Sequence, residues 1–211
     1  MANSLSKQVG CEFPLRLTVF YNRFEDARLV LEGAVDGPKP PQMSFIHIPS
    51  NEILRRAKQF SIAQEMHTLS HTVFVDADLW FPAGFWREYA ATLEEHKDGY
   101  WSCRVVNVSF QAAETLVGEW RHLSTERMDP HVSGERYGYA NGSVGHFQCI
   151  PRELEAYQDD GISAVNRTDT LFASHAIERS ADPRIDRRLG NLTAYHLDHP
   201  RCWTGTGGAE Y

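Results

Sequence analysis

Apolar residues recur along the chain at two spacings, and these predict strands that alternate with helices. Short runs rich in β-branched and aromatic residues predict strands at 15–21, 43–48, 72–75, 100–110, 145–150 and 192–197. Apolar positions three and four residues apart predict helices at 23–34, from residue 50 or 51 to 66, from Pro82 to about His96, and from Pro151 onward. This alternation indicates an α/β layered sheet, whose ligand site is expected at the carboxyl ends of the strands.

Two stretches interrupt the pattern, and both are predicted to be loops. Residues 36–42 contain three prolines, which disfavour helix and strand ladder alike. The polar, glycine-containing stretch at 121–145 is predicted to be a long mobile loop. A chain of 211 residues fits one domain. We place it at 15–200, with an N-terminal extension at 1–14 and a C-terminal tail at 201–211.

Composition and charge narrow the classes of partner. The formal net charge is -7 and no run of five Lys or Arg occurs, which argues against broad contact with duplex phosphates. The four cysteines are far apart and form no Cys-x-x-Cys pair, so reduced thiols are expected. The N-terminus has no apolar signal core and no stretch approaches about 20 apolar residues. These features predict a cytoplasmic protein without a membrane span.

The strongest candidate for chemistry is the pair Asp76 and Asp78, which directly follows the apolar strand 72–75. Each carboxylate costs several kcal/mol if it is desolvated and left unpaired, so a cation is a natural partner there. Hard oxygen ligands suit Mn²⁺ or Mg²⁺, which complete their coordination shells with phosphate oxygens and water. The alternative is that the two aspartates cap the next helix or face water.

Asp-Ala-Asp after Val-Phe-Val resembles the metal motif of the family-2 glycosyltransferases and their GT-A relatives. Stretches at 18–33, 142–153 and 167–175 are similar, in the family's order, to the first strand and helix, the acceptor-side strand and helix, and the segment near the catalytic base. The resemblance implies a GT-A fold, a Rossmann-like mixed sheet flanked by helices. It places the donor and metal half at about 15–98 and the acceptor half at about 99–200.

The resemblance also implies which residues bind the metal and the nucleotide-sugar donor. Asp76 and Asp78 would ligate Mn²⁺ or Mg²⁺ together with a C-terminal histidine, for which His199 is preferred over His196. The alternative is that these histidines are only hydrogen-bonded at a strand end. Three further positions fall where the family contacts its donor, although a solvated helix face is an alternative for the two basic residues. They are Tyr21, Arg56 and Lys58.

Catalysis in the resembling family implies a base for the acceptor hydroxyl, and Asp169 lies in the corresponding segment, although Thr168 replaces the family's usual first acid. Asp169 would act in an inverting, single-displacement reaction. Alternatively it caps a helix beginning near Thr170, in which case Asp159 or Asp160 is the fallback base. Residues 35–42 seem to replace the family's base-reading unit, so the nucleotide stays open. The expected acceptor is a saccharide, a peptide or a small molecule, with a modified nucleobase as a further option.

Two other classes of protein carry a similar motif. A phosphohydrolase of the haloacid-dehalogenase type also sets Asp-x-Asp after an apolar strand, but normally at its first strand and followed by a small residue and Thr. Here the motif comes after about 75 residues and is followed by Leu79 and Trp80. A nucleotide-sugar-binding module without catalysis is the other alternative, because a fold does not guarantee an activity.

Overall fold

The computed structural model describes residues 2–8, 10, 15–49, 59, 62–63, 65–66, 69–136, 147–152, 173–180 and 188–198. Its helices are α1 (Ala2–Ser6), α2 (Phe24–Val35), α3 (Phe85–Glu95), α4 (Phe110–Gly118) and α5 (Thr125–Met128). Two 3₁₀ turns lie at Trp120–His122 and Asp129–His131. The strands are β1 (Arg16–Tyr21), β2 (Gln42–His47), β3 (His71–Val75), β4 (Leu79–Trp80), β5 (Ser102–Val108), β6 (Val132–Arg136), β7 (Phe147–Pro151) and β8 (Arg188–Leu197).

The described strands form three ladders with mixed directions. Strands β1 and β2 are parallel, and β3 pairs with β7 in antiparallel fashion. The third ladder has the order β4-β8-β5-β6, in which β5 and β8 are parallel and the outer pairs are antiparallel. The expected α/β class with a mixed sheet and flanking helices is therefore confirmed at that level.

A bridge between Trp101 and Cys149 joins the second ladder to the third. The N–H of Trp101 donates to the carbonyl of Cys149 at 2.9 Å, and the N–H of Cys149 donates back at 2.8 Å. Because this bridge and the β3–β7 pair are both antiparallel, β3 runs in the same direction as β5 and β8. The carboxyl ends of these three strands therefore point the same way.

The third ladder buries apolar side chains on both of its faces. One face contributes Leu79, Val105 and Ala194 to the main core, where the aromatic rings of α3 pack around Phe147. The opposite face forms a smaller cluster with α4 and α5. Its members are Trp80, Val106, Val108, Leu116, Met128 and Tyr195. A short strand buried on both faces holds its position along the chain firmly, which matters for the residues at its end.

Helix α1 is part of the packed core, although it falls in the stretch that the sequence analysis sets apart as an extension. Leu5 belongs to the main cluster, and Ser6 Oγ donates to the carbonyl of Gly33 on α2 at 3.4 Å. Gln8 Nε2 donates to the carbonyl of Pro82 at 3.0 Å. Gln8 Oε1 accepts the N–H of Trp86 at 3.2 Å. These bonds fix the start of the chain to the start of α3.

Several predicted elements are confirmed, with shifted boundaries. Strands lie at Arg16–Tyr21, Gln42–His47 and His71–Val75, and the strand predicted at 192–197 begins earlier, at Arg188. Helix α3 begins at Phe85 instead of Pro82, because Gly84 takes a left-handed φ of 86° before the first helical turn. The helix predicted up to residue 66 lies mostly outside the described residues, of which 59, 62–63 and 65–66 are helical.

Other predictions are wrong. The loop predicted at 121–145 contains, over 121–136, most of a 3₁₀ turn, helix α5, a second 3₁₀ turn and strand β6. The strand predicted at 100–110 ends at Val108, and helix α4 begins at Phe110. Pro151 does not open a helix, since it is the last residue of β7, opposite His71. Proline is tolerated at that terminal position because the ladder does not continue past it.

Two further features bear on the expectations from composition. Cys103 and Cys149 are both free and fully buried, and burial raises the pKa of the Cys149 thiol to about 12. No helix in the described part of the chain is both long and apolar enough to cross a bilayer.

Candidate functional site

The two aspartates of the Asp-x-Asp motif lie in a tight turn at the carboxyl end of β3. The N–H of Leu79 donates to the carbonyl of Asp76 at 3.3 Å, which closes the turn and leads the chain into β4. Ala77 is exposed at the turn, whereas Asp76 and Asp78 are half-buried. The abrupt end of the apolar strand therefore sets both carboxylates at the edge of the sheet.

His196 on β8 holds the second of these aspartates by its side chain. Its Nε2 lies 3.1 Å from Oδ2 of Asp78, and the imidazole is only 2% exposed. The backbone adds a further tie, since the N–H of Leu197 donates to the carbonyl of Asp78 at 3.1 Å. The register of β4 with β8 sets Leu79 opposite His196. Asp78 is thus oriented by both the backbone and a side chain of β8.

Asn107 lies beside His196 on the same edge. The parallel register of β5 and β8 pairs these two residues. Val105 and Ala194, two positions earlier on each strand, both pack into the main core, so Asn107 and His196 share that face of the sheet. Sequence reasoning did not single out Asn107. Its position near the end of a predicted strand is the only signal that could have found it.

On the opposite face of the sheet, Tyr195 ties β8 to the 3₁₀ turn that begins at Asp129. The Tyr195 hydroxyl donates to Oδ1 of Asp129 at 2.5 Å, and its ring packs edge-on against Trp80 with centroids 5.7 Å apart. Burial, followed by the hydrogen bond to Asp129 and its negative charge, raises the pKa of the Tyr195 phenol. The phenol therefore stays protonated as a donor, and the strand that carries His196 is held on both of its faces.

Of the residues expected to contact the donor, the structure describes Tyr21. It is the last residue of β1, is half-buried, and packs edge-on against Phe45 and His47 of the neighbouring strand at centroid distances of 6.4 and 5.5 Å. The other expected site residues lie outside the described residues. They are Arg56, Lys58, Asp169 and His199, together with the fallback bases Asp159 and Asp160.

Two atoms of this site suit a divalent cation. Ligands that both bond one ion at about 2.1 Å and at right angles lie roughly 3 Å apart, which matches the 3.1 Å between Asp78 Oδ2 and His196 Nε2. A carboxylate with an imidazole suits Mn²⁺ better than Mg²⁺, because Mg²⁺ is a harder ion that prefers oxygen ligands. Within the described residues, no three His, Cys, Asp or Glu side chains are grouped closely enough to hold a metal. The remaining ligands would therefore come from substrate oxygens, from water or from residues beyond the described set.

Comparison with known proteins assigns no family to the chain. No family model and no curated protein matches it. The side chains gathered at the carboxyl ends of β3, β5 and β8 are therefore the basis on which function is inferred.

Proposed function

We propose that the chain is a metal-dependent glycosyltransferase of the GT-A kind that moves a sugar from a nucleotide-sugar donor to an acceptor hydroxyl. The observation that carries the proposal is the contact of 3.1 Å between Asp78 and His196 at the carboxyl ends of two strands of like direction. A carboxylate and an imidazole held together where a mixed α/β sheet ends are suited to a cation that bridges to a diphosphate.

The chemistry follows from what must happen to the leaving group. As the glycosidic bond breaks, negative charge builds on the nucleotide diphosphate, and a bound divalent cation would neutralise it. Asp78 and His196 would hold this cation from β3 and β8, and Asp76 would add a second carboxylate from the same turn. Because Asp78 is oriented by the N–H of Leu197 as well as by His196, little reorganisation is needed when the cation binds.

The acceptor hydroxyl must lose a proton, and Asp169 remains the proposed base for this step. The reaction would be a single displacement that inverts the sugar, with the base on the side of the ring away from the diphosphate. This role rests on the resemblance of residues 167–175 to the family and on no contact described above. His199 likewise remains a proposed ligand alongside His196.

Calorimetry with nucleoside diphosphates in the presence of MnCl₂ or EDTA tests the proposal. We expect at least one nucleotide, such as UDP or GDP, to bind with Mn²⁺ and to bind about 10–100-fold more weakly in EDTA. Asp78→Asn should remove the difference between the two conditions. The matched control is Asp98→Asn, since Asp98 is exposed in the turn before β5 and should leave the metal dependence intact. Equal affinity in Mn²⁺ and EDTA for the unaltered protein would contradict the proposal.

A phosphatase assay separates the proposal from the haloacid-dehalogenase alternative. Such an enzyme would use Asp76 as a nucleophile and form an aspartyl-phosphate. We expect no phosphate release from p-nitrophenyl phosphate, whereas a suitable nucleotide sugar should be slowly hydrolysed when acceptor is absent. Phosphate release that Asp76→Asn abolishes would favour the phosphohydrolase.

A further inference from the structure

A cavity of about 600 Å³ lies between helix α4 and the segment 126–131. Its volume is within the range of sites that bind small molecules. Six polar side chains contribute most of its wall, with Ala112, Leu116 and Pro130 as the apolar remainder. The polar residues are Ser109, Gln111, Thr115, Glu126, Arg127 and His131.

The cavity is near the edge of the sheet that carries the candidate metal site. Ser109 directly follows β5, and the carbonyl of Val108 accepts the N–H of Asp198, two residues beyond His196. Leu116 and Met128 pack with Tyr195 in the smaller core cluster, so the cavity is on the face of the sheet opposite His196. It is therefore distinct from the cation site while lying at the same strand ends.

Bonds outside the cavity hold several of its walls in place. The guanidinium of Arg127 pairs with the carboxylate of Glu119 and donates to the carbonyl of His122 at 3.3 Å. The N–H of Ser109 donates to the carbonyl of His131 at 3.0 Å, which closes one end of the wall. A wall that is ordered before binding reduces the entropy that a ligand must overcome.

The lining chemistry selects a class of ligand. One carboxylate and one guanidinium balance each other, so the wall has no excess positive charge for a diphosphate and no excess negative charge for a polyamine. Hydrogen bonds to its own backbone and to the side chain of Ser124 lower the pKa of Glu126, which therefore remains an ionised acceptor at neutral pH. Hydroxyl, amide and imidazole groups add both donors and acceptors. Such a wall suits a neutral ligand with several hydroxyl groups.

We infer that this cavity binds a saccharide and that, given the proposed function, this saccharide is the acceptor. Sugar hydroxyls both donate and accept hydrogen bonds, which matches a wall that offers acceptors at Glu126 and donors at Arg127. A buried polar wall discriminates strongly against ligands that leave its groups unpaired, so a deoxygenated analogue should bind poorly.

Nuclear magnetic resonance of the ¹⁵N-labelled full chain tests the site. The probes are glucose, galactose, N-acetylglucosamine, maltose and cellobiose, each titrated to high millimolar concentration. We expect at least one of them to shift the amides of Gln111, Glu126 and His131 saturably. Glu126→Gln and Gln111→Ala should each weaken that binding about tenfold or more. Glu114→Gln is the matched control, because Glu114 is exposed on α4 and does not line the cavity.

The same samples distinguish this inference from the proposed function. Metal-dependent binding of the nucleoside diphosphate should be unchanged in Glu126→Gln and lost in Asp78→Asn. If a saccharide shifts the three amides but no nucleotide binds with Mn²⁺, the saccharide site stands and the transferase proposal fails. If none of the five sugars shifts these amides, or if Glu126→Gln and Glu114→Gln bind equally well, the saccharide site is overturned.

Discussion

Individual side chains at the end of β3 are placed by burial as much as by hydrogen bonding. The Asp78–His196 contact of 3.1 Å is about as long as the exposed Arg28–Glu32 pair on α2, which measures 3.0 Å. The surroundings differ, since His196 is 2% exposed whereas the side chains of Arg28 and Glu32 are 61% and 50% exposed. Solvent screens the exposed pair, so the buried contact contributes more to stability.

This difference predicts the outcome of two double-mutant cycles. With EDTA present, Asp78→Ala, His196→Ala and the double variant should give a coupling free energy of about 1–3 kcal/mol in urea unfolding. The same cycle on Arg28 and Glu32 should give about 0.3–0.5 kcal/mol. Coupling at Asp78–His196 no larger than at the exposed pair would show that the contact does not hold the site together.

The sequence located the aspartates of this site but not their partner among the histidines. Asp76 and Asp78 stand out because an apolar strand ends abruptly in two charges, a local pattern. His196 and His199 are only three residues apart, and their roles depend on how β8 pairs with β4, which is not a local property. Asn107 was missed because one polar residue within an apolar strand carries no periodic signal.

Among the elements, helix α3 shows how backbone geometry decides a boundary. Proline suits the first turn of a helix, which is why Pro82 was expected to open it. In the structure the N–H of Phe85 donates to the carbonyl of Pro82 at 3.1 Å, and Gly84 has a φ of 86° that residues with a Cβ rarely adopt. The turn before the helix therefore requires glycine.

Two glycine substitutions should have opposite effects. Gly84→Ala should lower the free energy of unfolding by about 1–2 kcal/mol, because alanine is strained at positive φ. Gly118→Ala, at the last residue of α4, meets no atom within 4 Å and has no positive φ, so it should raise stability by about 0.4–1 kcal/mol. Thermal or urea unfolding measures both. If Gly84→Ala were as stable as Gly118→Ala, the left-handed turn would be wrong.

The elements missed at 121–136 are short ones. Helix α5 has four residues and β6 has five, which is too few for apolar periodicity to show. Helices of this length are not stable alone and form because Met128 is buried in the smaller core cluster and β6 pairs with β5. Polarity and glycine content therefore suggested a loop where tertiary contacts build regular structure.

Across the whole molecule, α/β alternation predicted the class of fold, but the strand order was not predictable. Pairs such as β3–β7 and β5–β8 join residues more than 75 positions apart, and no local pattern specifies them. The start of the chain shows the same limit. Gln8 is buried and bonds to Pro82 and Trp86, although residues 1–14 lack the periodicity of a core segment.

Removing the Gln8 side chain should therefore affect the whole domain. Gln8→Ala leaves the carbonyl of Pro82 and the N–H of Trp86 without this partner, and it should cost about 2–3 kcal/mol of unfolding free energy. Lys7→Ala is the control, since its side chain makes an exposed bond to the carbonyl of Arg121 and should change stability by less than about 0.5 kcal/mol. Equal effects in urea unfolding would mean that the N-terminal segment is not coupled to α3.

The docking of α1 also has a consequence for how the protein is made. Residues 2–8 leave the ribosome before their partners on α3, because Gln8 bonds to residues 74 and 78 positions further along the chain. Until Trp86 has been synthesised, Leu5 can pack only against nearby segments such as α2. The nascent chain therefore exposes an apolar N-terminal turn during that interval, which is the window in which a chaperone would bind it.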